Sequence, residues 1–184
     1  MHHNFQFKWT HTDLCKKCKV HHGFWDQWTP IREELIKKVP EAHDRFSDFR
    51  LIVTGHFLGG AIATLAAADI RKLDDPWYLA NKELYTFGSP RVGSDHTARF
   101  LSIQSTLSYR VTFQNDPIPH MPFLDFGYWH TQLEYWISRN ADAPKREDIL
   151  FLTGYNNRLG NRGHDGLDKK VHEHYFGLSR SCSS

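Results

Sequence analysis

Residues 51–61 read Leu-Ile-Val-Thr-Gly-His-Phe-Leu-Gly-Gly-Ala, and this stretch decides the fold. The opening run, residues 51–53, is short, apolar and rich in β-branched side chains, which is typical of a buried parallel strand. Residues 61–69 are rich in alanine and favour a helix. A strand that turns directly into a helix predicts an α/β sheet. Glycine is expected at both Gly55 and Gly59, because side chains there would collide where strand and helix approach each other.

The centre of this turn carries phenylalanine where one class of enzymes carries serine. In a nucleophile elbow the pattern is Gly-x-Ser-x-Gly, and the serine is exposed on a sharp strand-to-helix turn. Here the pattern runs from Gly55 to Gly59 with Phe57 in the middle. A phenyl ring has no proton to give up and no lone pair to attack with. The segment therefore predicts the fold of a serine hydrolase and argues against its chemistry. An ordinary strand–helix turn without an active site is the alternative that this segment alone leaves open.

The remaining pattern alternates strands with helices, which predicts a mostly parallel α/β sheet. Asp74-Asp75-Pro76 is expected to break the helix after the turn. The region from 117 to 172 is rich in loops and is not assigned. The other predicted elements are a half-exposed strand through Phe5, Phe7 and Trp9, an amphipathic helix from Phe24 to Val39 that ends at Pro40, strands at 83–87 and 109–113, and a helix at 93–101.

Length and composition indicate one globular domain with a real core. The chain has 184 residues and a formal net charge of +2, so its charge gives no indication of a nucleic-acid partner. No run approaches the roughly 18 apolar residues of a membrane span. The first residues lack the apolar core of a secretory signal, so no signal peptide is expected in this chain.

An acid and a histidine base must accompany a nucleophile, in the chain order nucleophile, acid, histidine. Asp116 follows a predicted strand, where α/β folds place functional groups, and His172 lies further along the chain. Spacing alone leaves alternatives open. Asp116 could be a turn aspartate that bonds its own backbone, and His172 could be a surface histidine, with His164 and His174 as rivals.

Six segments, in order along the chain, resemble the fungal class 3 lipases, a family that includes mono- and diacylglycerol lipases, triacylglycerol lipases and feruloyl esterases. The segments are CKKCKVHHGF (15–24), TGHFLGGA (54–61), YTFGSPRVG (85–93), RVT with NDPIP (110–119), GYWH with EYW (127–136) and HEHYFG (172–177). The resemblance implies an α/β-hydrolase fold in a single domain over 1–184. It also implies Asp116 as the acid, His172 as the base, the Leu58 N–H as an oxyanion donor and a structural role for His130.

Two departures from the family set the functional expectation. Phe57 replaces the nucleophile, and losing a triad serine lowers turnover about a million-fold. Ser89 and Ser94 lie on other segments, so neither is expected to substitute for it. The family's N-terminal strand, which supplies a second oxyanion donor, and its lid are not recognisable, so the domain is expected to be incomplete there and to leave residues 51–53 as an unpaired edge.

The chain is therefore expected to be a lipase-like ester hydrolase domain that is inactive as written. The alternatives are a non-catalytic module that binds lipid or ester, an incomplete gene product, and an active esterase with an unusual nucleophile. Whether the chain is an enzyme stays open.

The resemblance also bears on cysteines, partners and location. It implies a local disulfide between Cys15 and Cys18 and leaves Cys182 without its family partner. A zinc site built from Cys15, Cys18, His21 and His22 is the rival interpretation. No cofactor or metal is expected. The implied partner is an acylglycerol or other ester at a lipid interface, and the implied location is extracellular. Oligomeric state and chain-length preference are not predicted.

Overall fold

The computed structural model describes residues 7–73, 75–104, 107–139 and 143–177. Its strands are β1 (Trp9–His11), β2 (Lys19–His21), β3 (Leu51–His56), β4 (Lys82–Phe87), β5 (Gly93–Ser94), β6 (Leu107–Phe113), β7 (Tyr128–Trp129), β8 (Glu134–Ile137) and β9 (Ile149–Leu152). Its helices are α1 (His22–Arg45), α2 (Leu58–Arg71), α3 (Pro76–Asn81), α4 (Asp95–Gln104) and α5 (Lys169–His172). None of the helices in these ranges is both long enough and apolar enough to cross a membrane.

The strands form two sheets. The larger has the order β3-β4-β6-β8-β9, with every neighbouring pair parallel except β8 and β9. The smaller is antiparallel and has the order β1-β2-β5-β7. The mostly parallel α/β sheet predicted from the sequence is confirmed. The predicted N-terminal strand is shorter than expected: it begins at Trp9, and Phe5 lies outside the described residues.

Strand β3 is the outer strand of the larger sheet within the described part of the chain. It pairs with β4 from Leu51 opposite Lys82 to His56 opposite Phe87. Its residues alternate between partly buried and exposed, and Ile52 is 53% exposed. The prediction of a buried strand is therefore wrong, because β3 is outermost in its sheet and no described residue covers the face that carries Ile52. The expected unpaired edge is present among these residues.

Helix α1 runs past the proline that was expected to end it. It contains both Pro30 and Pro40 and ends at Arg45, so the prediction of a helix that stops at Pro40 is wrong. An interior proline removes one backbone hydrogen bond. The last turn is held instead by a tertiary contact, in which the ring of His43 packs on Trp77 with centroids 3.8 Å apart. Packing outside the helix thus overrides the local signal.

Other boundaries differ for similar reasons. The predicted helix at 93–101 begins at Asp95, because Gly93 and Ser94 pair with strands on both sides as β5. Helix α3 was not predicted. The region from 117 to 172, which the sequence left unassigned, supplies β7, β8 and β9.

Alanines let helix α2 approach the larger sheet closely. Ala63 and Ala67 pack with Leu84 of β4 and Val53 of β3. On its other side α2 packs against α1, in the main core cluster that contains the buried Trp28. The helix after the turn is therefore fixed from both sides, which fixes the turn itself.

A buried carboxylate joins three parts of the structure. Asp69 of α2 accepts hydrogen bonds from Trp28 Nε1 at 2.8 Å and from the Arg32 guanidinium at 2.8 Å, both from α1. Arg32 also donates to Asp13, in the turn between β1 and β2, at 2.7 Å, and this guanidinium lowers the pKa of Asp13. Lys72 completes the cluster, 3.1 Å from each carboxylate. One polar cluster therefore ties the β1–β2 turn to both long helices.

Lys82 is a buried lysine whose charge is expected to lower the stability of the fold. The side chain is 2% exposed, and its Nζ donates to Ala67 O at 2.6 Å. Burial lowers the pKa of Lys82 from 10.5 to about 8, and the nearby charge of Arg71 acts in the same direction. We expect Lys82→Met to raise the free energy of unfolding at pH 7 by roughly 1 kcal/mol, because no charge is then buried.

The difference between wild type and Lys82→Met should depend on pH with a fixed sign. Below pH 8 both folded and unfolded wild type carry the proton, so the penalty is fully present. As pH rises from about 8 to 10.5 the folded state loses the proton first, so wild type gains stability relative to the variant. Chemical denaturation at several pH values, with the exposed Lys37→Met as control, measures this. A difference that does not change over this range would contradict the burial of a charge at Lys82.

Candidate active site

The strand–helix turn has the strained geometry of a nucleophile elbow. Phe57 lies between β3 and α2 with φ 55° and ψ −123°, a backbone region that side-chain-bearing residues rarely occupy. Its N–H donates to the Phe87 carbonyl of the adjacent strand at 3.0 Å. The turn therefore aims the residue at position 57 outward from the end of the sheet, as the sequence predicts.

The glycine requirement is confirmed at one of the two predicted positions. A Cβ atom added to Gly55 would lie 2.2 Å from the Gly59 carbonyl oxygen, so only glycine fits. A Cβ added to Gly59 meets nothing within 4 Å, so the expectation that Gly59 must be glycine is wrong. The second crowded position is Gly60, where a Cβ would lie 2.9 Å from the Cβ of Ser89. The helix turns Gly59 toward solvent and Gly60 toward the next strand's loop.

The structure brings the predicted acid and base together. Asp116 follows β6, and His172 is the last residue of α5, 56 positions later. The His172 Nδ1 lies 2.9 Å from Asp116 Oδ2, and both side chains are buried. In this arrangement the carboxylate orients the ring and leaves Nε2 as the atom that can accept a proton.

Tyr175 is a site residue that sequence reasoning missed. Its hydroxyl donates to Asp116 Oδ2 at 2.6 Å, and the Ile118 N–H donates to Oδ1 at 2.8 Å. Burial and the charge of Asp116 raise the pKa of Tyr175 well above its usual range, so it stays a donor. The only signal available was its place three residues after His172, a spacing that one turn of chain can bring to the same carboxylate.

The Nε2 atom of His172 is buried and has no hydrogen-bond partner among the described residues. The ring of Phe57 lies against the imidazole edge to face, with centroids 5.0 Å apart and an interplanar angle of 76°. His56 stacks on the imidazole at 4.4 Å, and its Nε2–H donates to the His172 carbonyl at 3.1 Å. The predicted base is thus oriented and packed, but Phe57 beside it has no proton to transfer.

Gly88 is a second missed position. It has φ +53°, and an added Cβ would lie 2.8 Å from Asp116 Oδ2 and 3.0 Å from His172 Nδ1. Only a residue without a side chain allows Asp116 and His172 to lie directly over the end of β4. The sequence ended the predicted strand at residue 87 but did not show what the turn at Gly88 makes room for.

The rival histidines lie elsewhere. A ring nitrogen of His164 is 2.9 Å from the Gly160 carbonyl, and one of His174 is 2.7 Å from the Lys170 carbonyl. Both contacts are to backbone four residues away in the chain. His172 is therefore the histidine that the structure places at Asp116.

The remaining candidates have local partners. His130 is buried, its Nε2–H donates to the Pro119 carbonyl at 2.7 Å, and burial holds its pKa well below its usual range. The Ser89 hydroxyl is buried and donates to the Pro90 carbonyl at 3.2 Å. Ser94 Oγ lies 3.1 Å from a threonine hydroxyl at the start of α4. None of these contacts connects a serine to His172.

Cys15 and Cys18 form a disulfide, with an S–S distance of 2.06 Å. The two sulfur atoms are therefore not available as thiolate ligands, which the zinc interpretation required. Cys182 lies outside the described residues. Leu58 is the first residue of α2, where helix amides have no carbonyl within the helix to bond, so its N–H remains our predicted oxyanion donor.

Comparison with known proteins identifies lipases among the relatives of this chain. The family model for lipase (class 3) matches residues 1–126. The chain is 40% identical to secreted mono- and diacylglycerol lipase 1 of Fusarium solani over 98% of this chain and 53% of the relative. It is 38% identical to secreted mono- and diacylglycerol lipase A of Penicillium cyclopium over 92% of this chain and 55% of the relative. The chain thus spans about half the length of these relatives.

Solved structures give the same result for the fold. The mono- and diacylglycerol lipase of Aspergillus oryzae superposes with a TM-score of 0.84 at 38% identity, over 92% of this chain and 63% of that one. The native Rhizomucor miehei lipase propeptide complex superposes with a TM-score of 0.86 at 27% identity, over 96% of this chain and 56% of that one. The predicted α/β-hydrolase fold is confirmed.

Proposed function

This chain belongs to the class 3 lipase family, and from that membership we propose that it is a lipase homologue that does not hydrolyse esters. The single observation that carries the proposal is Phe57. The elbow presents this residue to the oriented base His172, and a phenyl ring cannot attack a carbonyl carbon. Without its serine, an enzyme of this type loses about a million-fold in turnover.

The retained acid and base support descent from an active enzyme. Asp116, His172 and Tyr175 form a hydrogen-bonded group that a simple binding module does not need. In the proposal, Asp116 is the former acid, His172 the former base and Leu58 N–H the former oxyanion donor. The neighbouring Ser89 does not replace the nucleophile, because its hydroxyl is buried and bonded to the backbone.

In this proposal, the ligand class and the location of the protein are inferred from its relatives. The relatives from Fusarium solani and Penicillium cyclopium are named secreted mono- and diacylglycerol lipases, so we infer an acylglycerol ligand and an extracellular location. The Cys15–Cys18 disulfide supports that location, because disulfides persist in oxidising compartments.

A comparison with a matched variant tests the absence of catalysis. We expect wild type to hydrolyse p-nitrophenyl butyrate no faster than His172→Ala, and a fluorophosphonate probe to label neither protein. Turnover that depends on His172, or covalent labelling of wild type, would overturn the proposal. If neither protein shows turnover or labelling, binding of a non-hydrolysable monoacylglycerol ether is measured by calorimetry on the same samples. Binding would identify the protein as an ester-binding module.

A further inference from the structure

The β1–β2 hairpin has one face turned away from the core. Trp9 and His11 alternate in β1 and so lie on the same face, and Lys19 pairs with His11 across the two strands. Val20, which points the opposite way, is fully buried in the main core cluster. The opposite, outer face carries the exposed His11 and Lys19 at its turn end, whereas its other end is covered by aromatic rings, beneath which His21 is only 4% exposed.

Aromatic side chains gather at one end of this outer face. Phe7 stacks on Phe126 with centroids 5.0 Å apart and lies 6.1 Å from Phe123. Trp9 stacks on the buried Tyr128 at 3.8 Å. Phe123 is 48% exposed and Phe126 is 53% exposed. Clustered phenylalanines that remain half exposed indicate a surface that contacts something apolar.

Lysines gather at the other end. Lys16 and Lys17 lie in the disulfide-closed turn, Lys19 follows in β2, and all three are exposed. Within the described ranges none of the three forms an ion pair. Asp13 of the same turn is already engaged by Arg32 at 2.7 Å. The lysine charges are therefore left for an external partner.

We propose that this docking face, made of Phe7, Trp9, Phe123 and Phe126 with Lys16, Lys17 and Lys19, binds an anionic lipid surface. Lysines are attracted by anionic headgroups, and aromatic rings beside them enter the boundary between headgroups and acyl chains. A polyanion in water offers the lysines a partner but gives phenylalanine rings no apolar phase to enter. A lipid surface matches both halves. Asp125, which is exposed and lies between Phe123 and Phe126 in the chain, carries the opposite charge to the lysines and weakens the attraction.

This inference goes beyond the proposed function. The docking face and the Phe57–His172 site share no residue, so either can fail without the other. Hydrolysis of a soluble short-chain ester does not report on the docking face, and vesicle binding does not report on the nucleophile.

Vesicle co-sedimentation of the full chain tests the basic half. We compare phosphatidylcholine vesicles with vesicles that also contain phosphatidylglycerol. The triple variant Lys16→Gln/Lys17→Gln/Lys19→Gln is expected to bind the anionic vesicles about 100-fold more weakly, since each lysine near such a surface contributes about five-fold. Added salt should weaken wild type in the same direction. The matched control Lys37→Gln/Lys145→Gln/Lys169→Gln, at three exposed lysines elsewhere, should bind within about two-fold of wild type.

The aromatic half has an unusually close control in the same chain. Phe46 and Phe49 form another exposed pair, 55% and 69% exposed with centroids 5.9 Å apart, against 6.2 Å for Phe123 and Phe126. We expect Phe123→Ser/Phe126→Ser to weaken binding at least ten-fold on anionic vesicles, and Phe46→Ser/Phe49→Ser to leave it unchanged. Circular dichroism and a melting curve confirm that each variant is folded before it is scored.

Three results would overturn the proposal. One is equal binding to neutral and anionic vesicles. Another is equal loss in the docking-face variants and their controls. The third is a pair of results: heparin binds and its binding depends on the lysines, while vesicle binding is unchanged in Phe123→Ser/Phe126→Ser. That pair would identify a polyanion site instead.

Discussion

The Phe57→Ser variant is expected to hydrolyse p-nitrophenyl butyrate about a thousand-fold faster than the wild-type chain. The elbow already points this residue toward His172, whose Nε2 is buried without a hydrogen-bond partner among the described residues. A serine hydroxyl in place of the ring would supply the missing proton and lone pair. The Asp116 carboxylate, 2.9 Å from Nδ1, would stabilise the charged imidazole that forms.

The gain should stay well below a million-fold. Restoring a nucleophile is worth about a million-fold, but the one oxyanion donor that we assign among the described residues is the Leu58 N–H, and an enzyme that lacks one of its donors is slower by a factor of about 100 to 1,000. Two controls isolate the mechanism: Phe57→Ala should show no gain, and Phe57→Ser/His172→Ala should lose the gain. A rate equal to that of an active relative would contradict the single-donor argument. Turnover that survives loss of His172 would contradict its assignment as the base.

The same substitution should not destabilise the protein. A residue at φ 55° and ψ −123° is strained by about 1–3 kcal/mol, and the bulkier the side chain, the worse the strain. Serine relieves part of it and gives up ring contacts with His172 in exchange. We therefore expect the free energy of unfolding, measured by chemical denaturation, to be unchanged or higher.

Gly55→Ala is expected to prevent folding, whereas Gly59→Ala should stabilise the protein. The Gly55 Cβ would lie 2.2 Å from a backbone carbonyl oxygen, which cannot rotate away as a side chain can. The elbow would have to open, at a cost above about 4 kcal/mol, the range reserved for severe core lesions. Gly59 is a helical position with free space around its Cα, so alanine should add about 0.5–1 kcal/mol by reducing the freedom of the unfolded chain.

Soluble yield and urea denaturation of both variants test this pair. Each variant replaces one hydrogen of one glycine in the same motif with a methyl group. The two variants therefore differ only in the position of that methyl group. A folded Gly55→Ala protein with near-wild-type stability would show that strand and helix can separate at the elbow. A destabilised Gly59→Ala protein would show that the space beside the Gly59 Cα is not free.

Local pattern predicted the sheet and the elbow, and the resemblance to the lipase family implied Asp116 as acid and His172 as base, but neither could predict contacts made at long range. The helix continues past Pro40 because Trp77, far along the chain, holds its last turn. Gly88 and Tyr175 serve the site only because the fold lays them against Asp116. The prediction that Gly59 must be glycine was wrong for a related reason. The motif indicates that the turn is tight, but it does not indicate which Cα atom faces the crowded side.

The cluster around Asp69 has a consequence for how the molecule opens. Strands β1 and β2 have three residues each, too few to hold a hairpin together in water. Through Asp13, Arg32 and Asp69 the hairpin instead shares the stability of α1 and the elbow helix α2. Backbone amides in all three should therefore become accessible to hydrogen exchange together, as one cooperative unit rather than as a frayed end and a stable core.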